Sequence, residues 1–314
     1  MPQLTPSQAR VIDPILSSVA QGYRNADLIG SILFPYVPVG QRGGKIITFG
    51  KEDFMLYNTG RTPGANTRRV QYGYQGASFA LDSHSLEGLV PVELLQEAQA
   101  VPGIDMGSAA VRRTQNIIAL RLENAQATLA TTAGNYGASN KVTLAGTSQW
   151  SDLTTGVSDP IKDVETAKEA VRKAVGRRPN TVVMGAAVMA MLKQHPKVVD
   201  RMKYTGRDVA TPDLLASLFG VKQVLVGDAV VSDATGTFSD VWGKNVVVAY
   251  TELGALQDAG LPTFGYTYRL NGYPIVEEPY LDRNSKSWVY PVTDEVQPVI
   301  AGASAGYLIS AAVA

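Results

Sequence analysis

The chain has 314 residues, equal numbers of acidic and basic side chains, and no cysteine. That length allows a large core and more than one domain, and the 45% apolar content with zero net charge excludes wholesale disorder. Disulfides, thiolate nucleophiles and cysteine-ligated metals are excluded, the two histidines, His84 and His195, stand far apart, and the lack of a basic excess argues against a dedicated nucleic-acid binder.

Residues 1–44 read as an arm. A short helix is expected near 13–21, with Asp13 as its cap and Pro14 at its first position. The Pro- and Gly-punctuated stretch that follows buries little by itself and needs a surface to lie on. Residues 45–83 read as a two-stranded excursion, "KIITFGKEDF" out and "RVQYGYQGASFALD" back, with the turn-rich "NTGRTPGAN" between them. An isolated ribbon is marginal in water, so this one is expected to rest on another copy of the chain. Residues 104–133 form the clearest helix, with Val111, Ile118, Leu122, Ala125 and Leu129 on one apolar stripe. Arg121, Glu123 and Asn124 fall off that stripe.

After a polar stretch, 134–160, the alternation of helix and strand over 161–261 predicts a mixed α/β unit. Its first helix, "DVETAKEAVRKAVG", carries a charged face (Glu165, Lys168, Glu169, Arg172) expected to be solvated. His195, at a helix break before Pro196, is expected to be structural. The last fifty residues return to strands that are expected to pack on the long helix. The N-terminus lacks a secretory signal, and the uncharged run 299–314 is shorter than the roughly 20 residues a membrane span needs. No membrane is therefore expected.

Catalytic motifs do not assemble. Gly302–Gly306 matches G-x-S-x-G, the nucleophile elbow of α/β-hydrolases, but that elbow needs a following helix and a later histidine. Both histidines precede Ser304, and only eight residues follow Gly306. A serine hydrolase using Ser304 is kept as the alternative of a different class; the favoured reading is a packing residue between glycines where two backbones approach. "VGQRGGKI" misses the phosphate-loop spacing, and "VVMGAAV" lacks the dinucleotide fingerprint. No carboxylate pair stands out as a general acid/base couple, and no cofactor or metal is expected.

The order of elements resembles the major capsid (major head) proteins of tailed bacteriophages with the Hong Kong 97-type fold. The resemblance runs nearly the whole chain and is carried by "LSSVAQGYRNADLIGSILFPYVPV", "LAGTSQWSD", "PNTVVMGAAVMAMLKQHPKVVDRMKYTG", "DLLASLFGVKQVLVGDA" and "FGYTYRLNGYPIVEEPYLDRNSKSWVYPV". It implies an α+β fold with an N-terminal arm (1–44), an extended loop (45–86), a peripheral domain (87–160 and 262–314) containing the spine helix 104–133, and an inserted axial domain (161–261). It implies a structural protein, not an enzyme, that self-assembles in the bacterial host cytoplasm into an icosahedral head of hexamers and pentamers around double-stranded DNA. The implied partners are further copies of itself, a portal, a decoration protein and a scaffold. No charged scaffolding segment precedes the arm-like region, so either a separate scaffolding protein serves or such a segment has been trimmed away, and Met1 favours the first. An encapsulin-like nanocompartment is the alternative within the same architecture. Candidates for contacts between subunits are Lys51, Tyr57, Arg61, Arg68 and Arg69, the arginines meeting carboxylates of a neighbour.

Overall fold

A computed structural model describes residues 28–45, 56, 60–61, 78–99, 105–202, 210–252 and 263–314. The expected helix at 13–21, most of the excursion and its tip lie outside the described residues. Two sheets and one long helix organise the rest.

The helix, α3 (Met106–Thr131), follows two shorter ones, α1 (Gly30–Leu33) and α2 (Val92–Gln99). Asp105 caps α3 by accepting from the backbone N–H groups of Gly107 and Ser108. Val111, Ile118 and Leu122 are buried, as their spacing predicts, and Ala125 and Leu129 are half-buried. Under the helix lies a six-stranded sheet centred on β14 (Ser287–Ile300), whose alternating Val, Tyr and Thr residues suit a pleated surface. β4 (Asp82–Pro91) pairs along one edge of β14 over ten residues. β11 (Gly265–Leu270), β12 (Ile275–Val276) and β13 (Tyr280–Asp282) share its other edge. Val111 and Ile118 pack with Val276 and Val292, so the late strands do cover the helix. The arm also finds its surface: β1 (Tyr36–Val39) pairs in parallel with β11, and Leu33 and Phe34 are fully buried.

The second sheet runs β5-β15-β10-β6-β7, with β5 at Lys141–Thr143, β6 at Thr181–Gly185, β7 at Gln223–Gly227, β10 at Val246–Ala249 and β15 at Gly306–Ser310. Every residue of β6 and β10 is buried. Because β5 and β15 join it, this sheet crosses the boundaries expected at 161 and 261. α4 (Pro160–Val175) lies on it, capped by Asp159 and closed by Gly176 in the left-handed region. Val164, Ala167 and Val171 face the core. Lys168, expected in solvent, is buried, and its ammonium donates to the Phe219 carbonyl and to Glu165 at 2.7 Å. It stands four residues after Val164 and three before Val171, which places it on the apolar stripe, while Glu169 and Arg172 pair in solvent as expected. α5 (Ala186–Leu192), α6 (Pro196–Met202) and α7 (Pro212–Phe219, capped by Thr211) connect β6 to β7. Among the described residues no helix is long and apolar enough to cross a membrane.

The G-x-S-x-G stretch lies between β14 and β15 as a single 3₁₀ turn, Ala303–Ala305, that runs directly into strand. Ser304 is exposed, which corrects its expected role as a packing residue. The close contacts belong to its flanks. A Cβ on Gly306 would stand 2.4 Å from the Phe264 ring, and one on Gly302 would stand 2.9 Å from the Thr263 carbonyl. Buried Asn140 pins the turn by donating to the carbonyls of Ser304 (3.2 Å) and Gly306 (3.0 Å). Gly306→Ala is expected to destabilise the subunit by about 1–3 kcal/mol through overpacking, and Ser304→Leu by less than about 0.5 kcal/mol as a surface change. Urea unfolding of the two variants checks the order.

Candidate functional site

α3 buries a second row that its apolar stripe omits. Glu123, Gln126, Ala127 and Ala130 recur at the first, fourth, fifth and eighth positions of a helical repeat, and all four are buried. Glu123 was expected outside the stripe and is 2% exposed. Its carboxylate accepts three hydrogen bonds: from the backbone N–H of Ile29 (3.2 Å), from that of Gly30 (2.8 Å) and from the indole Nε1 of Trp242 (2.7 Å). The first two donors open α1, a helix of four residues whose leading N–H groups have no partner within it. Glycine is required at 30, because a Cβ there would fall 2.1 Å from the Gln126 side-chain oxygen. Gln126 in turn donates to Thr267 of β11 at 2.8 Å, and the Thr267 hydroxyl donates to the Phe34 carbonyl. One stretch of α3 thus fastens the arm, the six-stranded sheet and the turn that leads into β10.

Beside this joint lies a cleft of about 910 Å³ between α3, the arm and the sheet. In it Arg269 donates to Asp294 at 2.9 Å and stacks 4.1 Å above the Tyr36 ring. Burial holds the Asp294 carboxyl above its usual range, and the neighbouring Arg269 opposes the shift.

A third joint holds the root of the excursion. β2 (Gly43–Lys45) pairs with β3 (Ser78–Ala80), Phe79 stacks on Tyr268 at 4.2 Å, and Arg42 forks onto Glu295 through two bonds of 2.7 and 2.8 Å. The Tyr273 hydroxyl donates to the same buried carboxylate at 3.0 Å. Of the contact candidates, Arg61 is described and exposed; Lys51, Tyr57, Arg68 and Arg69 lie outside the described residues. Leu56, also on the excursion, is fully exposed.

His195 is buried with Nε2 3.2 Å from the Ser158 hydroxyl, and His84 meets the Arg121 guanidinium. Among the described residues no three metal-ligating side chains converge.

All three partners of Glu123 are donors, so an amide at this position would set N–H against N–H. Glu123→Gln is therefore expected to cost about 1–3 kcal/mol. Burial is the main influence on the Glu123 carboxyl and raises its pKa; the bonds from Trp242, Gly30 and Ile29 oppose the shift. A carboxyl raised in the folded state contributes stability that is full below its unfolded pKa and lost as pH climbs through its folded one. The stability difference between the wild type and Glu123→Gln should accordingly be largest at acid pH and shrink as pH rises past the ordinary glutamate range. Urea unfolding at a series of pH values measures it.

The chain matches the model of the family "Phage major capsid protein E" over residues 122–301. It is similar to the major capsid protein of Burkholderia phage BcepMu, with 38% identity over 308 residues and 97% of each chain covered. Among solved structures it is similar to a phage-related protein from Bordetella bronchiseptica RB50, with 46% identity, a TM-score of 0.82, and 97% of this chain and 98% of that one covered. The mature capsid of bacteriophage PhiM1 shares the fold at 14% identity, with a TM-score of 0.55 over 92% of this chain and 88% of that one. These relatives favour a virion subunit over an encapsulin-like shell. The spine-like α3, the two sheets and the rooted excursion are thus the parts of a shell-forming subunit, and the chain belongs to the phage major capsid protein E family, with the Hong Kong 97-like α+β capsid fold.

Proposed function

We propose that this subunit closes an icosahedral head of hexamers and pentamers by laying on a neighbouring copy the part of residues 45–86 that lies beyond the β2–β3 root, and that it does so without catalysis. The observation that carries this reading is the clamped root: Arg42, Glu295, Tyr273 and the Phe79–Tyr268 stack fix where the excursion leaves and re-enters the body. The excursion's side chains Lys51, Tyr57, Arg61, Arg68 and Arg69 are assigned to the neighbour. In this reading 87–160 and 262–314 form the peripheral domain and 161–261 the axial domain, with β5 and β15 supplying strands to the axial sheet. A separate scaffold, a portal and a decoration protein are the further partners, and assembly takes place in the host cytoplasm. The zero net charge suits a wall that touches packaged double-stranded DNA loosely and without sequence preference. Each contact between copies is modest, and the shell's stability is the sum over many neighbours.

Deleting residues 58–66 should leave a soluble subunit with the wild-type circular dichroism spectrum that forms no shells in electron micrographs. Normal particles from the deletion would refute the assignment.

A further inference from the structure

β8 (Val230–Ser232) and β9 (Phe238–Asp240) form a two-stranded hairpin that belongs to neither large sheet. Ten of the eleven residues 230–240 are exposed, so the hairpin projects from the body. Its register sets Ser232 opposite Phe238 and Val230 opposite Asp240. Phe238, at 72% exposure, and Val230, at 45%, therefore share one face with the Asp240 position. Residues 228–240 contain Asp228, Asp233 and Asp240 and no basic residue. None of the three forms an ion pair among the described residues. The turn is well made: Asp233 accepts from the backbone N–H of Thr235 (2.8 Å) and Thr237 (2.9 Å), which holds the tip in one shape. A ribbon that is pre-shaped, acidic and tipped with an exposed aromatic is organised for a partner that is basic and partly apolar.

The chain itself carries that complement. Residues 61–69 hold Arg61, Arg68 and Arg69 with no carboxylate, close behind the apolar pair Leu56 and Tyr57. We propose that the β8–β9 hairpin of one subunit receives the arginine-rich part of the excursion of a neighbouring subunit, with Asp228 and Asp240 meeting the guanidinium groups and Phe238 packing on the apolar residues. The inference rests on the reading that residues 45–86 reach a neighbour. A contact between two different surfaces of one chain is head-to-tail, the kind that builds rings when its rotation closes.

Three variants test it: Asp228→Lys with Asp240→Lys, Arg68→Glu with Arg69→Glu, and all four changes in one chain. Because the hairpin is exposed, its double variant should keep the wild-type melting temperature, and the melting temperature of the other two is measured beside it. Each double variant should lower the yield of shells, counted by electron microscopy and sedimentation, by about tenfold or more, the effect of roughly 1.4 kcal/mol at a contact turned repulsive. The fourfold variant, in which every reversed hairpin meets a reversed loop, should recover assembly. Normal assembly of the hairpin double variant alongside failure of the loop variant would overturn the hairpin assignment and leave the loop reading standing. Normal assembly of the loop variant would overturn the loop reading itself. A fourfold variant no better than the worse double would mean that the two surfaces serve different partners.

Discussion

One buried carboxylate holds the start of the arm's helix and the turn before β10 to the long helix. Glu123 lies near the middle of α3 and takes hydrogen bonds from residues 93 and 94 positions earlier and 119 positions later in the chain. Removing a carboxylate from water costs several kcal/mol, and three donors converging on it offset much of that cost. The donors have needs of their own. The opening N–H groups of α1 have no partner within so short a helix, and a buried indole N–H requires an acceptor. The arrangement is mutual, because each group would be left unsatisfied without the others. That mutual requirement gives the arm a single docked position on the helix.

α3 itself spans two cores. Its first half packs through Val111 and Ile118 against β12 and β14. Its second half contributes Ala127 and Ala130 to the larger core shared by the five-stranded sheet, α4 and Trp150. A rigid rod of about 39 Å that is common to both cores makes the body one mechanical unit. The β2–β3 pair and the β8–β9 hairpin stand outside the two large sheets of that unit. This division suits a shell subunit, in which the body keeps its shape and the base of β2 is clamped by Arg42–Glu295.

Much of this is local chemistry and was legible residue by residue. Thr211 and Pro212 are helix punctuation that acts over one turn, whereas the caps Asp105 and Asp159 go unrecognised in the sequence and α4 reads as starting at Asp163, three residues late. The stripe Val111–Ile118–Leu122 and the β-branched runs of β6 and β10 carry their periods openly. The mismatch with a hydrolase elbow was also legible, because an elbow needs a helix after its serine and here the strand β15 follows. The burial of Lys168 and Glu123 was legible only in part. Both sit at helical spacing from apolar neighbours, but each bears a charge, and charge reads as exposure unless a partner is known.

From the sequence alone came the composition class, the element order and the apolar stripes, since these follow from backbone preferences and side-chain spacing within a few residues. The tertiary structure decided which charges could be buried, why Gly306 is a tight contact while Ser304 faces solvent, and that β5 and β15 enter a sheet with strands from 161–261. Those outcomes depend on donors, rings and strand edges brought from distant parts of the chain, and only the folded arrangement supplies the hydrogen bonds that make a buried carboxylate or ammonium tolerable.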